Sequence, residues 1–306
     1  MNMSAMNNTV SSTGTFSTNN FTSDDSFHCD PPGSAHNAAL IAIYIIVLMG
    51  GSIGAFVMAW KIKTDSKSVT STAVVNLILM HTFFLLTVPF RISYYVLGEW
   101  KFGEMLCKLV SAMIHVHMYL CFMFYVAIIV IRMLSFFREK KTVEFYQPWH
   151  AGAVSLVVWT LVFFAIFPLF LGFYGISKNY NQKQCFQFQA EIANKFVKFV
   201  NHLSGTVVLS TICVLLAIQI YVITKLTNKH AGTFRKQQQF GAQTKTLLFL
   251  LIMILCFLPY LGFRLFYVKQ IMIYPCSLNL HTVNEIFLAL TAMSCFDVLT
   301  FLVAAH

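Results

Sequence analysis

The chain has 306 residues, of which 58% are hydrophobic and only 10% charged, where an ordinary soluble domain carries about 25% charged residues. That balance excludes a soluble globular protein and identifies a membrane protein. The formal charge of +10 raises nucleic acid as a partner, but no basic face with stacking aromatics lies outside the apolar segments, so none is expected.

Residues 1–36 are rich in Ser, Thr and Asn, carry no Lys or Arg, and lack the apolar run of a cleaved signal peptide. They read as a disordered tail, and Asn-x-Ser/Thr sequons at Asn2, Asn7 and Asn20 predict glycosylation outside the cell. The remainder, 37–306, reads as one membrane domain. Seven apolar stretches follow, at about 38–60, 69–96, 105–135, 151–174, 196–224, 246–268 and 280–304. Each is long enough to span a bilayer as a helix, and none alternates as barrel strands do. The predicted fold class is therefore an all-α bundle of seven transmembrane helices.

Orientation follows from the connecting segments. With the N-terminus outside, one side of the membrane receives Lys61, Lys63, Lys67, Arg138, Lys140, Lys141, Lys225, Lys229, Arg235, Lys236 and Lys245. The tail instead carries Asp24, Asp25 and Asp30. The positive-inside rule then predicts an extracellular N-terminus and a cytoplasmic C-terminus, with the basic side against anionic membrane lipid.

The third stretch runs from Cys107 to Arg132, with no formal charge between Leu109 and Ile131. As a helix it covers about 37 Å, so its cysteine and its arginine lie at opposite membrane surfaces. Cys121, Cys213, Cys256 and Cys295 fall inside apolar runs and read as small packing residues. Cys29, Cys107, Cys185 and Cys276 fall at or beyond segment ends. All four face outward in the predicted orientation, where two disulfides allow three pairings.

The chain resembles the rhodopsin-like family of G-protein-coupled receptors. The resemblance rests on Trp100-x-Phe102-Gly103 before Cys107, Asn76-Leu77 and Val88-Pro89-Phe90 in helix 2, and Trp159 in helix 4. It extends to Tyr221 in helix 5, Cys256-Phe257-Leu258-Pro259-Tyr260 in helix 6, and Ser294-Cys295-Phe296-Asp297 in helix 7. The Val-Pro-Phe and Ser-Cys-Phe-Asp runs resemble the purinergic-receptor-like branch. The resemblance implies a disulfide from Cys107 to Cys185 and a second from Cys29 to Cys276. It also implies that Arg132 contacts a G protein and Tyr221 when helix 6 swings about Pro259, a residue that removes a backbone hydrogen bond.

Departures from the family pattern surround these matches. Ile131 replaces the acidic residue expected before Arg132, His81 the aspartate of helix 2, and Phe257 the tryptophan of helix 6. Helix 7 reads Asp297-Val298-x-x-Phe301, and the chain ends at His306 before any amphipathic eighth helix. Arg132, Tyr221, Phe257, Pro259, Asp297 and Phe301 are the expected activation residues. Without its acidic neighbour Arg132 is expected to be weakly restrained, which predicts basal activity; the alternative is an arginine that merely snorkels at the helix end. His81 and Asp297 occupy the family's sodium site, where an imidazole is a poorer sodium ligand than a carboxylate, so a hydrogen-bonded pair is expected in its place.

For the ligand pocket the candidates are Arg91, Tyr95, Tyr119, His202, Arg264, Lys269 and Glu285. The basic members suit an anionic ligand unless Glu285 neutralises one of them internally. His115 and His117 are two apart on a helix and do not share a face, so joint chelation by them is not expected. No metal or cofactor is expected, and no enzyme motif occurs. The reading is a receptor that passes an extracellular signal to heterotrimeric G proteins; the alternatives are a non-signalling scaffold of the same fold and a membrane transporter.

Overall fold

A computed structural model describes residues 34–64, 69–137, 148–166, 183–186, 192, 194–228, 233–270, 273 and 278–297. Seven helices occupy these residues: α1 (Ser34–Thr64), α2 (Val69–Leu97), α3 (Glu104–Phe137), α4 (Pro148–Leu161), α5 (Lys195–Asn228), α6 and α7. α4 runs on into a π-helical turn at Val162–Ile166. α6 begins as Thr233–Ile252, passes through a π-helical turn at Met253–Phe257 and resumes as Leu258–Gln270. α7 is Leu278–Thr291 and tightens into a 3-10 turn at Ala292–Asp297.

The architecture is the expected helical bundle, and its surface is inverted relative to that of a soluble protein. Large apolar side chains such as Phe56, Leu156 and Phe164 are exposed on the helices, and backbone polar groups pair within each helix, as a lipid environment requires. Among the described residues a small apolar core at Ile192, Tyr267 and Val268 and two large ones fill the interior. One joins Met80, Tyr125, Ile128, Phe249, Met253 and Phe257 around α3 and α6. The other joins Tyr44, Phe84, Val88, Ile114, Ala289 and Ala292 around α1, α2 and α7.

Local chemistry sets the breaks. Pro259 has no amide hydrogen to donate, and one turn earlier the ladder widens, with the Leu258 N–H reaching the Met253 carbonyl in the π-helical turn. The irregular turn thus lies where the sequence places a pivot. Gly50 meets the end of α7 so closely that a Cβ there would collide with the Phe296 ring, so the small-residue run of α1 packs within the molecule.

Several helix ends lie beyond the apolar runs. α1 starts at Ser34, inside the expected tail, because His36 is buried and meets Glu285 of α7. α5 and α6 likewise extend into polar sequence, and Gln219 Nε2, inside the fifth apolar run, donates to Gln243 Oε1, just before the sixth, at 3.0 Å. α2 is tied to α4 through Asn76, which donates to Ser155 Oγ at 2.6 Å and accepts from Trp159 Nε1 at 2.8 Å.

Candidate functional site

The entrance is built by Trp100-x-Phe102-Gly103. Gly98 and Gly103 take φ of 71° and 79°, backbone that glycine adopts without a Cβ penalty. Trp100 Nε1 donates to the Gly103 carbonyl at 2.6 Å, and the Trp100 amide donates to the Lys183 carbonyl at 2.8 Å. The motif therefore fastens the strip before Cys185 to the head of α3. Cys107 and Cys185 are joined as a disulfide with Cα atoms 5.8 Å apart.

Phe186 follows directly and caps the cavity. It adopts φ of 67°, and its ring lies 4.4 Å from Arg91 Cζ and stacks on Tyr95 at 6.1 Å. Outside the membrane, the Lys101 ammonium holds the Glu99 carboxyl below the usual carboxylate range, and Glu104 pairs with Lys108. At these two places acidic and basic side chains pair with one another.

Beneath Phe186 lies a cavity whose polar lining includes Arg91, Tyr95, His115, Arg264, Asn284 and Glu285. Arg91 is buried and donates to Tyr44 Oη at 3.3 Å and to the Val110 carbonyl at 2.9 Å, and no carboxylate pairs with it among the described residues. Arg264 donates to Asn201 Oδ1 at 3.1 Å and Asn284 Oδ1 at 3.3 Å. Glu285 accepts from Tyr95 Oη at 3.3 Å and lies 3.4 Å from His36 Nε2 and 3.5 Å from His281 Nε2. The internal pairing weighed for Glu285 thus involves histidines that the sequence reading did not select.

Of the other pocket candidates, Tyr119 lies off the lining with its hydroxyl 3.0 Å from Ser204 Oγ, and His202 is also outside it. Lys269 is exposed in the last turn of α6, beyond the lining.

A second polar cluster fills the bundle centre. Asp297 Oδ2 accepts from Tyr125 Oη at 2.8 Å and lies 3.2 Å from His81 Nε2. The other His81 nitrogen is 2.9 Å from His117 Nε2. His115 points elsewhere, to the Ser111 carbonyl at 3.1 Å and to Tyr260 Oη at 3.4 Å. Cys121 and Cys295, read from sequence as packing residues, are buried as expected but turn their sulfurs to within 3.8 and 3.5 Å of His81 Nδ1.

This cluster connects to the C-terminal part of α3 through aromatic rings. Tyr125 stacks on Phe257 at 6.1 Å and contacts Phe249 at 5.5 Å, and the Arg132 Cζ lies 5.5 Å from the Phe249 ring. Among the described residues no carboxylate pairs with Arg132. Tyr221 is exposed and packs against Lys225, whose Nζ lies 6.0 Å from its ring centre. Pro259 is exposed on α6, while Phe257 is fully buried. Tyr125 was absent from the sequence reading. The available signal was its position, seven residues before Arg132 on the buried face of α3.

Phe301, Cys29, Cys276 and the sequons at Asn2, Asn7 and Asn20 lie outside the described residues.

The family model for 7 transmembrane receptors (rhodopsin family) matches residues 53–297. The chain is 42% identical over 275 residues to "Probable G-protein coupled receptor 141" of Homo sapiens, covering 89% of each chain. It is 27% identical over 274 residues to cysteinyl leukotriene receptor 2 of Homo sapiens, covering 86% of this chain and 77% of the relative. Over a shorter span of 144 residues it is 34% identical to a purinoceptor of Rattus norvegicus, covering 46% and 39% of the two chains.

Proposed function

The chain belongs to the rhodopsin family of seven-transmembrane receptors, and from that membership we propose that it passes an extracellular anionic signal to heterotrimeric G proteins, with basal activity. The observation that carries this reading is the run of packed rings from Asp297 and Tyr125 through Phe249 to Arg132. It lies below a cavity whose buried Arg91 faces neutral acceptors.

The receptor is oriented with its glycosylated tail, the residues before α1, outside the cell and its basic connections against the inner leaflet of the plasma membrane. Cys29 and Cys276 tether the tail to the start of α7, and Phe301 belongs with the activation residues of the inner end. The family's activities are those of receptors, and no enzyme chemistry is assigned to the chain.

Basal activity follows from Ile131. Replacement by a carboxylate would give Arg132 an adjacent ion-pair partner at the inner end of α3, and the receptor would rest more firmly in its inactive arrangement. Ile131→Asp is therefore expected to lower basal G-protein activation at matched surface expression. Basal signalling equal to that of mock-transfected cells, unchanged in Ile131→Asp, contradicts this reading.

An anionic ligand is favoured by Arg91 and by relatives named for cysteinyl leukotrienes and lysophosphatidic acid. Both ligand types carry acidic groups that a guanidinium recognises. A panel of lysophospholipids, leukotrienes and nucleotides is expected to contain an agonist, and Arg91→Gln to weaken its potency roughly 10- to 100-fold, the size of a charge-assisted hydrogen bond. Activation by an uncharged compound, with potency indifferent to Arg91→Gln, contradicts the anionic assignment.

A further inference from the structure

The centre of the bundle collects borderline and soft donors from three helices. His81 comes from α2, His117 and Cys121 from α3, and Cys295 from the 3-10 end of α7. His117 and Cys121 are four apart and share one face of α3. His81 Nδ1, His117 Nε2 and Cys121 Sγ all lie within 4.8 Å of one another. Cys295 Sγ lies 3.5 Å from the first and 3.6 Å from the second.

We propose that these four side chains form a structural zinc site that clamps α2, α3 and α7 together. Zn–N bonds of about 2.0 Å and Zn–S bonds of about 2.3 Å place tetrahedral ligand atoms about 3.3–3.8 Å apart. Four of the six ligand separations, 2.9, 3.5, 3.6 and 3.8 Å, run from just below that range to its upper end, and Cys121 lies within 4.8 Å of His117, so the imidazoles must part by a few tenths of an ångström and the thiols close in to admit the ion. Thiolate and imidazole select zinc over sodium, magnesium or calcium, which require hard oxygen ligands.

The surroundings match a zinc site in two further ways. A metal-bound histidine uses its other ring nitrogen to donate to a carboxylate, which fixes its tautomer, and His81 Nε2 faces Asp297 Oδ2 at 3.2 Å. Asp297 is in turn held by Tyr125 Oη at 2.8 Å. The charges also close: two thiolates balance the dication, and on binding the two thiol protons pass to solvent. The site is enclosed, with His81, His117, Cys121 and Cys295 all buried, so the ion enters as the helices assemble. Cys256, partly exposed on α6, and Cys213, exposed on α5, stand outside the cluster.

The test uses the full-length receptor, purified without a polyhistidine tag from zinc-replete cells into detergent micelles. Elemental analysis is expected to find about one zinc per chain, as a closed structural site holds. His117→Asn and Cys295→Ser should each lower the zinc content several-fold, and Cys213→Ser should leave it unchanged. Cobalt exchanged into wild type should give intense thiolate charge-transfer bands, which Cys121→Ser weakens. Because variants of a core cluster can fail to fold, wild type itself supplies a second readout: 1,10-phenanthroline should lower its melting temperature, and zinc but not magnesium should restore it. Wild type containing less than a tenth of an equivalent of zinc, stoichiometric copper in place of zinc, or a melting temperature indifferent to the chelator overturns the site.

Discussion

Replacing Cys107 or Cys185 by serine is expected to reduce correctly displayed receptor several-fold and to abolish any response that depends on the outer cavity. The disulfide closes a span of 78 residues, for which loop-closure entropy gives about 4.5 kcal/mol, an upper bound here because the intervening helices already restrict the chain. A loss of even 1–2 kcal/mol is enough to change cellular abundance several-fold. The consequence for the cavity is more specific than the loss of stability. Phe186 is one residue from the bridge, and its ring covers Arg91 while stacking on Tyr95. Without the bridge the strip keeps hydrogen bonds such as that from the Trp100 amide to the Lys183 carbonyl but loses its covalent tie to α3, and the cap over the guanidinium is expected to loosen. The double variant should be no worse than either single one, since each removes the same bond. Surface abundance and melting temperature equal to wild type in Cys107→Ser would contradict this account.

Asp297→Ala is expected to produce the second large effect, by breaking the centre of the bundle. It removes the partner of His81 Nε2 and, at once, the nearer of two acceptors of the fully buried Tyr125 hydroxyl, which keeps only the Ser294 carbonyl at 3.3 Å. Leaving buried polar groups unpaired costs about 1–3 kcal/mol each, so a destabilisation of about 3 kcal/mol is expected. Asp297→Asn keeps an acceptor for Tyr125 and should cost less, and Tyr125→Phe should cost about 1 kcal/mol because one donor leaves together with its bond. The functional effect should follow the same order, since Tyr125 is the residue through which Asp297 meets Phe257 and Phe249 of α6. Melting temperatures in detergent provide the measurement. An Asp297→Ala receptor as stable as Tyr125→Phe would show that the carboxylate is not the hub of the cluster.

The seven helices were legible because a membrane imposes one strong rule, that apolar runs long enough to span must close their own backbone hydrogen bonds. Their ends were less legible. α1 begins inside the polar tail sequence because His36 reaches Glu285 across the bundle, a partner that no local pattern reveals. Arg91 and Arg264 could be assigned to the cavity because charges in such helices must face the interior. Lys269 could not be separated from them by type, and its exposure depends on its place in the last turn of α6.

The central cluster was the hardest part to read. Sequence spacing directed attention to His115 and His117, which do not share a face, whereas His117 meets His81 at a separation of 36 residues. Only the four-residue step from His117 to Cys121 was visible locally. The contributions of His81 and Cys295 arise from packing among α2, α3 and α7.

In the proposed mechanism Arg132 links this interior to a G protein. Its most direct test is a basal coupling panel across the G-protein families, comparing wild type with Arg132→Ala at matched surface expression. Coupling above background to at least one family is expected in wild type, and its loss in Arg132→Ala. Coupling to none of them, or coupling that survives Arg132→Ala undiminished, would contradict it.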